Sequence, residues 1–144
     1  MRSNRETERV ARALFLCMGL LRRRLRQNPV SDVLTFPQIA ALSRLDRGGP
    51  ATGADLARQE QISPQSMGAT IGELEARGFI TRQPDPTDGR RILLSISASG
   101  RREVNRRRDA RVEQLTTGLA DFTDAELTQL AAAVPLIERL AHRL

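Results

Sequence analysis

Between Phe79 and Ser97 the sequence leaves the helical spacing that governs the rest of the chain, and this change of period most narrows what it can fold into. Ile92, Leu94 and Ile96 fall on one face at a two-residue spacing, as a half-buried strand requires. "FITRQ" (79–83) precedes them, and Pro84–Gly89 between the two runs is dense in turn formers, with Asp88-Gly89 the strongest. The pattern predicts one β-hairpin in an otherwise helical chain. Arg90 and Arg91 follow its turn directly. A turn that only reverses the chain has no need of them.

The flanking segments read as helices. In residues 5–27, Val10, Leu14, Cys17, Leu21 and Leu25 recur at helical spacing, and Leu16, Met18 and Leu20 make the middle apolar on nearly every side. Such a helix wants cover all round, which a small monomer rarely supplies. Asn28-Pro29 is its expected stop. A second helix starts near Thr35, carries Ile39, Leu42 and Leu45 on one face, and ends at Gly48-Gly49-Pro50. Thr52 can cap a short helix over 53–60 with Leu56 inward, and Gln61-Ile62 is the joint to the next. There Ser63 is a favoured cap, and Pro64 at the first helical position has no amide donor to lose. That helix is expected to run to Arg77, with Gly78 as left-handed terminator. Two short helices with a tight joint are a helix-turn-helix. A long Arg-studded helix follows from Ser97 to about Leu119. Thr123 and Glu126 then form a capping box for a last helix, with Leu127, Leu130, Val134, Ile137 and Leu144 on one stripe and Pro135 expected to kink it.

Charge suggests what the hairpin serves. The net charge is +6, and all 23 basic residues are Arg. Arg suits phosphate and guanine edges; a GC-rich genome would leave the same bias. Eight Arg against two Glu fall in residues 1–30, and ten Arg against four acids in residues 77–112. Two basic blocks are the footprint expected for a polyanion. Membrane binding is disfavoured: there are four Phe, no Trp and no Tyr, and no apolar run approaches the roughly 18 residues of a span. The apolar stretch 13–21 is too short and lacks the cleavage site of a secretory signal. The single cysteine, Cys17, excludes an internal disulfide and fits a reducing cytoplasm. His142 is the only histidine, and no metal-ligand cluster, phosphate-cradling loop or nucleophile–base pair is visible. No metal, cofactor or enzymatic activity is expected.

The helix 64–77 carries the sharpest signal. At roughly 100° per residue, Met67, Ile71 and Leu74 point inward. The opposite face holds Gln65, Ala69, Gly72 and Ala76, flanked by Ser66 and Gly68. Gly68 and Gly72 each cost about 1 kcal/mol of helix propensity relative to Ala. A face this bare fits a DNA major groove, with Gln65 and Ser66 able to reach base edges, Gln being a natural partner for adenine. It equally fits close packing against another helix of the same protein. Glu73 and Glu75 count against insertion along the whole length, and are tolerable if only the first two turns enter. The expected recognition set is Ser63, Pro64, Gln65, Ser66, Ala69 and Thr70. The hairpin would then be a wing of Asp88, Gly89, Arg90 and Arg91. In it the Asp88 carboxylate would hold the Arg90 guanidinium for a minor groove, and Arg91 would touch phosphate. As a bare surface ion pair, Asp88–Arg90 would be worth less than about 1 kcal/mol. Thr52 and Arg82 are further phosphate-contact candidates.

"LEARGFITR" (74–82) followed by "DPTDGRRILLSISASG" (85–100) resembles the wing signature of the MarR (multiple antibiotic resistance regulator) family, in which an Asp-x-Arg turn leads into a strand ending at a Leu-Thr-x-x-Gly-like corner. The corner here is Ile96-Ser97-Ala98-Ser99-Gly100. The resemblance covers essentially the whole chain. It implies a mainly α winged helix-turn-helix of about six helices in an intertwined homodimer. In that layout 5–30 and 98–144 dimerise, and 31–97 form the DNA-binding lobe. It further implies a cytoplasmic, nucleoid-associated repressor of a pseudo-palindromic double-stranded operator, released by a small-molecule effector. The dimer residues would be Leu14, Leu21, Leu25, Leu115, Leu119, Leu130, Val134, Ile137 and Leu140, unless these helices make a four-helix core within one subunit. Members often carry Arg where this chain has Ala69. Some sense peroxide through a first-helix cysteine aided by tyrosines; with no Tyr here, Cys17 is expected in the core. A winged-helix module docking a protein and a non-specific basic nucleoid binder are the rival functions.

Overall fold

A computed structural model describes residues 4–27 and 33–144. The expected stop at Asn28-Pro29 lies outside the described residues. The elements are α1 (Asn4–Gln27), α2 (Phe36–Gly48), α3 (Gly53–Gln59), α4 (Pro64–Ala76), β1 (Ile80–Pro84), β2 (Ile92–Ile96), α5 (Ala98–Gly118) and α6 (Asp124–Ala141). The chain divides into two compact units, 1–108 and 109–144, with the boundary inside α5.

In the first unit the inward stripes of α2, α3 and α4 meet. Ala41, Leu42 and Leu45, then Leu56 and Ala57, then Met67, Ile71 and Leu74 form one buried cluster with Leu34, Ile80, Leu94 and Val104. Burying ten large apolar side chains at about 1.5–3 kcal/mol each is what holds this small trihelical core. β1 and β2 pair antiparallel from Ile80 opposite Ile96 to Pro84 opposite Ile92. Ala51 bridges the other edge of β2, exchanging two backbone hydrogen bonds with Leu94 of 3.1 and 2.8 Å. The hairpin is thereby stitched to the entrance of α3.

Caps set the helix limits. Ser63 Oγ accepts the Ser66 N–H at 3.1 Å, and Thr52 Oγ1 accepts that of Asp55 at 3.1 Å. Gly78 has φ of 72° and terminates α4 in the left-handed region, where a Cβ is strained. Its carbonyl accepts from the hydroxyls of Ser97 at 2.6 Å and Ser99 at 2.8 Å. At Gly100 a Cβ would lie 2.2 Å from the Phe79 carbonyl oxygen, so only glycine lets α5 start against β1.

Two expectations need correction. Ile92 is exposed while Leu94 is buried and Ile96 half-buried, because β2 outruns the helices that cover its other end. Taken separately, α1 and α6 each bury no residue. Cys17 is exposed rather than in a core of this chain. Pro135 lies inside α6, where it has no amide hydrogen to donate to the turn before it.

Candidate nucleic-acid interface

The outward face of α4 is uncovered. Gln65, Ser66, Gly68, Ala69, Gly72 and Ala76 are all exposed, and Thr70 is half-buried. A Cβ added at Gly68 or Gly72 would meet nothing within 4 Å. The fold therefore does not require glycine at either position, in contrast to Gly100. Two residues that weaken a helix without easing its packing leave close approach by an outside body as their physical use.

The acids that seemed to oppose such an approach are tied back. Gln38, 2% exposed, donates its amide to the Glu73 carboxylate and accepts the Thr35 N–H at 2.9 Å. Glu75 takes the guanidinium of Arg82 at 2.6 Å. Arg82, a phosphate-contact candidate, is thus held in an ion pair that is half-exposed to solvent. Thr52 is likewise engaged, with its oxygen capping α3.

At the wing, the Arg91 N–H reaches the Asp88 carbonyl at 3.0 Å, closing a turn with Gly89 and Arg90 at its centre. The Asp85 N–H bonds the Arg91 carbonyl at 2.9 Å. Asp85 Oδ1 accepts both the backbone N–H and the hydroxyl of Thr87, and these bonds hold its carboxyl below the usual carboxylate range. Asp88 does not hold the Arg90 side chain as expected. Its Oδ1 accepts the Arg90 backbone N–H at 3.1 Å, a local turn bond that outcompetes a looser pairing at the end of a long side chain. Among the described residues the Arg90 guanidinium has no ion-pair partner. Arg91 is the restrained one, 3.6 Å from Asp55 and 4.0 Å from Asp85. Asp55 serves three groups at once: it returns a bond to the Thr52 N–H, pairs with Arg58 at 2.5 Å and faces Arg91. The Thr52 bonds above all push its pKa down. The Thr-x-x-Asp spacing of a capping box signals the first of these roles in sequence; the reach to Arg91 depends on folding and has no sequence signature.

α4 and the wing share one surface. A groove of about 270 Å³ runs between them, lined by Gly53, Ala54, Pro64, Gly68, Ile71, Arg82, Ile92 and Leu94. Among the described residues no cluster of three or more His, Cys, Asp or Glu is placed to hold a metal.

A capped helix-turn-helix whose second helix presents a bare face, followed by a hairpin with an unpaired Arg near its tip, defines the winged helix-turn-helix class of DNA-binding proteins. Residues 34–91 match the model of the MarR family. An HTH-type transcriptional regulator of Mycobacterium bovis is 37% identical over 129 residues, 90% of either chain. A transcriptional repressor of Mycobacterium tuberculosis is 32% identical over 85 residues, covering 55% of this chain and 61% of that one. A crystal structure of a putative transcriptional regulator from Pseudomonas aeruginosa superposes with a TM-score of 0.78 at 34% identity, over 97% of this chain and 98% of that one. The chain belongs to the MarR family of DNA-binding transcriptional regulators. Among the described residues no helix is long and apolar enough to cross a membrane.

Proposed function

We propose that the chain is a homodimeric repressor that sits on a pseudo-palindromic operator, the first turns of α4 in the major groove and Arg90 in the adjacent minor groove, and that a small molecule releases it. The observation that carries this is Arg90: exposed, without an ion-pair partner among the described residues, and borne on a turn fixed by the Asp88 and Asp85 bonds. An unmatched guanidinium on a rigid support suits the negative potential of a narrow minor groove. Dimerisation is supported by α1, where Phe15 is 73% and Leu16 65% exposed, and separately by α6, where Leu130, Val134, Ile137 and Leu140 face solvent. Two such helices leave more apolar surface bare than a lone small protein usually carries. Small-molecule control is supported by the groove between α4 and the wing, since a ligand seated there would occupy surface the DNA needs. The work belongs on the chromosome, in the cytoplasm. Repression rather than activation follows the name of the mycobacterial relative.

The test is selection of bound duplexes from a random pool by the full chain, then footprinting. A protected palindrome with half-site centres about one helical turn apart is the expected result. Arg90→Ala should weaken binding to every sequence and lower the salt slope of log K by about one per half-site. If Arg90→Ala binds as tightly as the parent across salt concentrations, the wing assignment fails.

A further inference from the structure

The polar inventory of α4 decides which bases it can read, given the groove placement proposed above. Between Gln61 and Ala76 there is no Arg or Lys. The nearest basic side chains are committed elsewhere: Arg58 to Asp55, and Arg77 to the Val33 carbonyl at 2.5 Å. The hydroxyls are also partly spent. Thr70 Oγ1 donates to the Ser66 carbonyl at 3.1 Å, which uses its proton within the helix and leaves its methyl as the group without a partner. Ser66 Oγ accepts from Ser63 Oγ at 2.9 Å. Gln65, in the first turn and exposed, has no hydrogen-bond partner for its amide among the described residues. One turn further along the same face stands the Ala69 methyl.

We infer that α4 reads adenine·thymine pairs, with Gln65 bidentate to adenine N6 and N7 and the methyls of Ala69 and Thr70 against the C5-methyl of thymine one or two base pairs on. Guanine presents two acceptors, O6 and N7, and the side chain that matches both is a bidentate Arg or Lys donor. This helix has neither. Adenine presents one donor and one acceptor, which a primary amide matches in a single plane, and the thymine methyl is the only apolar group the major groove displays. The missing side chains at 68 and 72 let those short groups come within contact distance of the base edges. Gln65 and Ala69 are therefore specificity determinants, distinct from Arg90, which fixes affinity.

The test starts from the duplex selected above. Single adenines of one half-site are replaced by 7-deazaadenine, which lacks the N7 acceptor, and single thymines by uracil, which lacks the methyl. One 7-deazaadenine position should weaken parent binding about tenfold, and Gln65→Ala should bind the modified and natural duplexes equally. One uracil position should cost a few-fold for the parent and nothing further for Ala69→Gly. Gln65→Arg, at an exposed site where the fold is indifferent, should move the preference at the same position from adenine to guanine. A G·C pair at the sensitive positions of the selected half-site overturns the inference, as does a 7-deazaadenine penalty that survives Gln65→Ala. Either outcome leaves the operator reading intact if Arg90→Ala still weakens binding. No selected sequence at all would sink that reading itself.

Discussion

Gly68 and Gly72 isolate function from folding at the scale of one residue. Because open space surrounds both positions, alanine there fits without strain and gains helix propensity. Gly68→Ala and Gly72→Ala should each raise stability by about 0.5–1 kcal/mol in denaturant titration. The same changes should weaken operator binding severalfold, because each methyl meets the groove. Stabilisation with unchanged affinity would mean that the face stays clear of DNA. The glycines were legible in the sequence as anomalies on a helix, but their meaning was not. Periodicity places a residue on a face; only coordinates say whether that face is covered.

At the scale of elements, the wing is a hairpin steadied from outside. Ala51 supplies a backbone bridge on the other edge of β2, and Arg91 reaches back to Asp55 on α3 and to Asp85. These are half-exposed pairs at 3.6 and 4.0 Å, so the expected coupling is small. A double-mutant cycle on Asp55→Ala and Arg91→Ala should give about 0.2–1 kcal/mol in stability, shrinking as salt rises. Arg91→Ala should also cost less operator affinity than Arg90→Ala. Equal losses would return Arg91 to the role of a phosphate contact. Here the sequence reached the elements and missed their side-chain wiring. Thr52, Ser63, Pro64, Gly78 and the Thr123–Glu126 box fixed helix limits to within a residue or two, because caps act over three or four positions. The Asp88 bond to the Arg90 backbone, the Arg82–Glu75 pair and the link from Gln38 to Glu73 all turn on competition among partners both near and far in the chain. Spacing carries no record of that competition.

For the whole molecule, the proposed homodimer would cover the bare faces of α1 and α6 with a second copy. Ile137 lies on the α6 stripe and is half-exposed. Ile137→Glu should remove about 1–2 kcal/mol of apolar burial per subunit and add a charge that the interface cannot match. Sedimentation should then show the dimer giving way to monomer at micromolar concentration, with loss of operator binding. An unchanged dimer would mean that α6 turns this stripe elsewhere. The sequence disclosed the surplus of apolar surface on α1 and misplaced Cys17 for the same reason. A stripe pattern announces that a face will be covered without saying by whose residues. One junction bears on how such a molecule would respond. The final carbonyl after α4 is gripped by Ser97 and Ser99, and Gly100 rests with no side chain against Phe79. With two hydroxyl clasps and no spare volume there, the end of α4 and the foot of α5 mesh like gear teeth, and a rotation of either would have to break these contacts or carry its neighbour along.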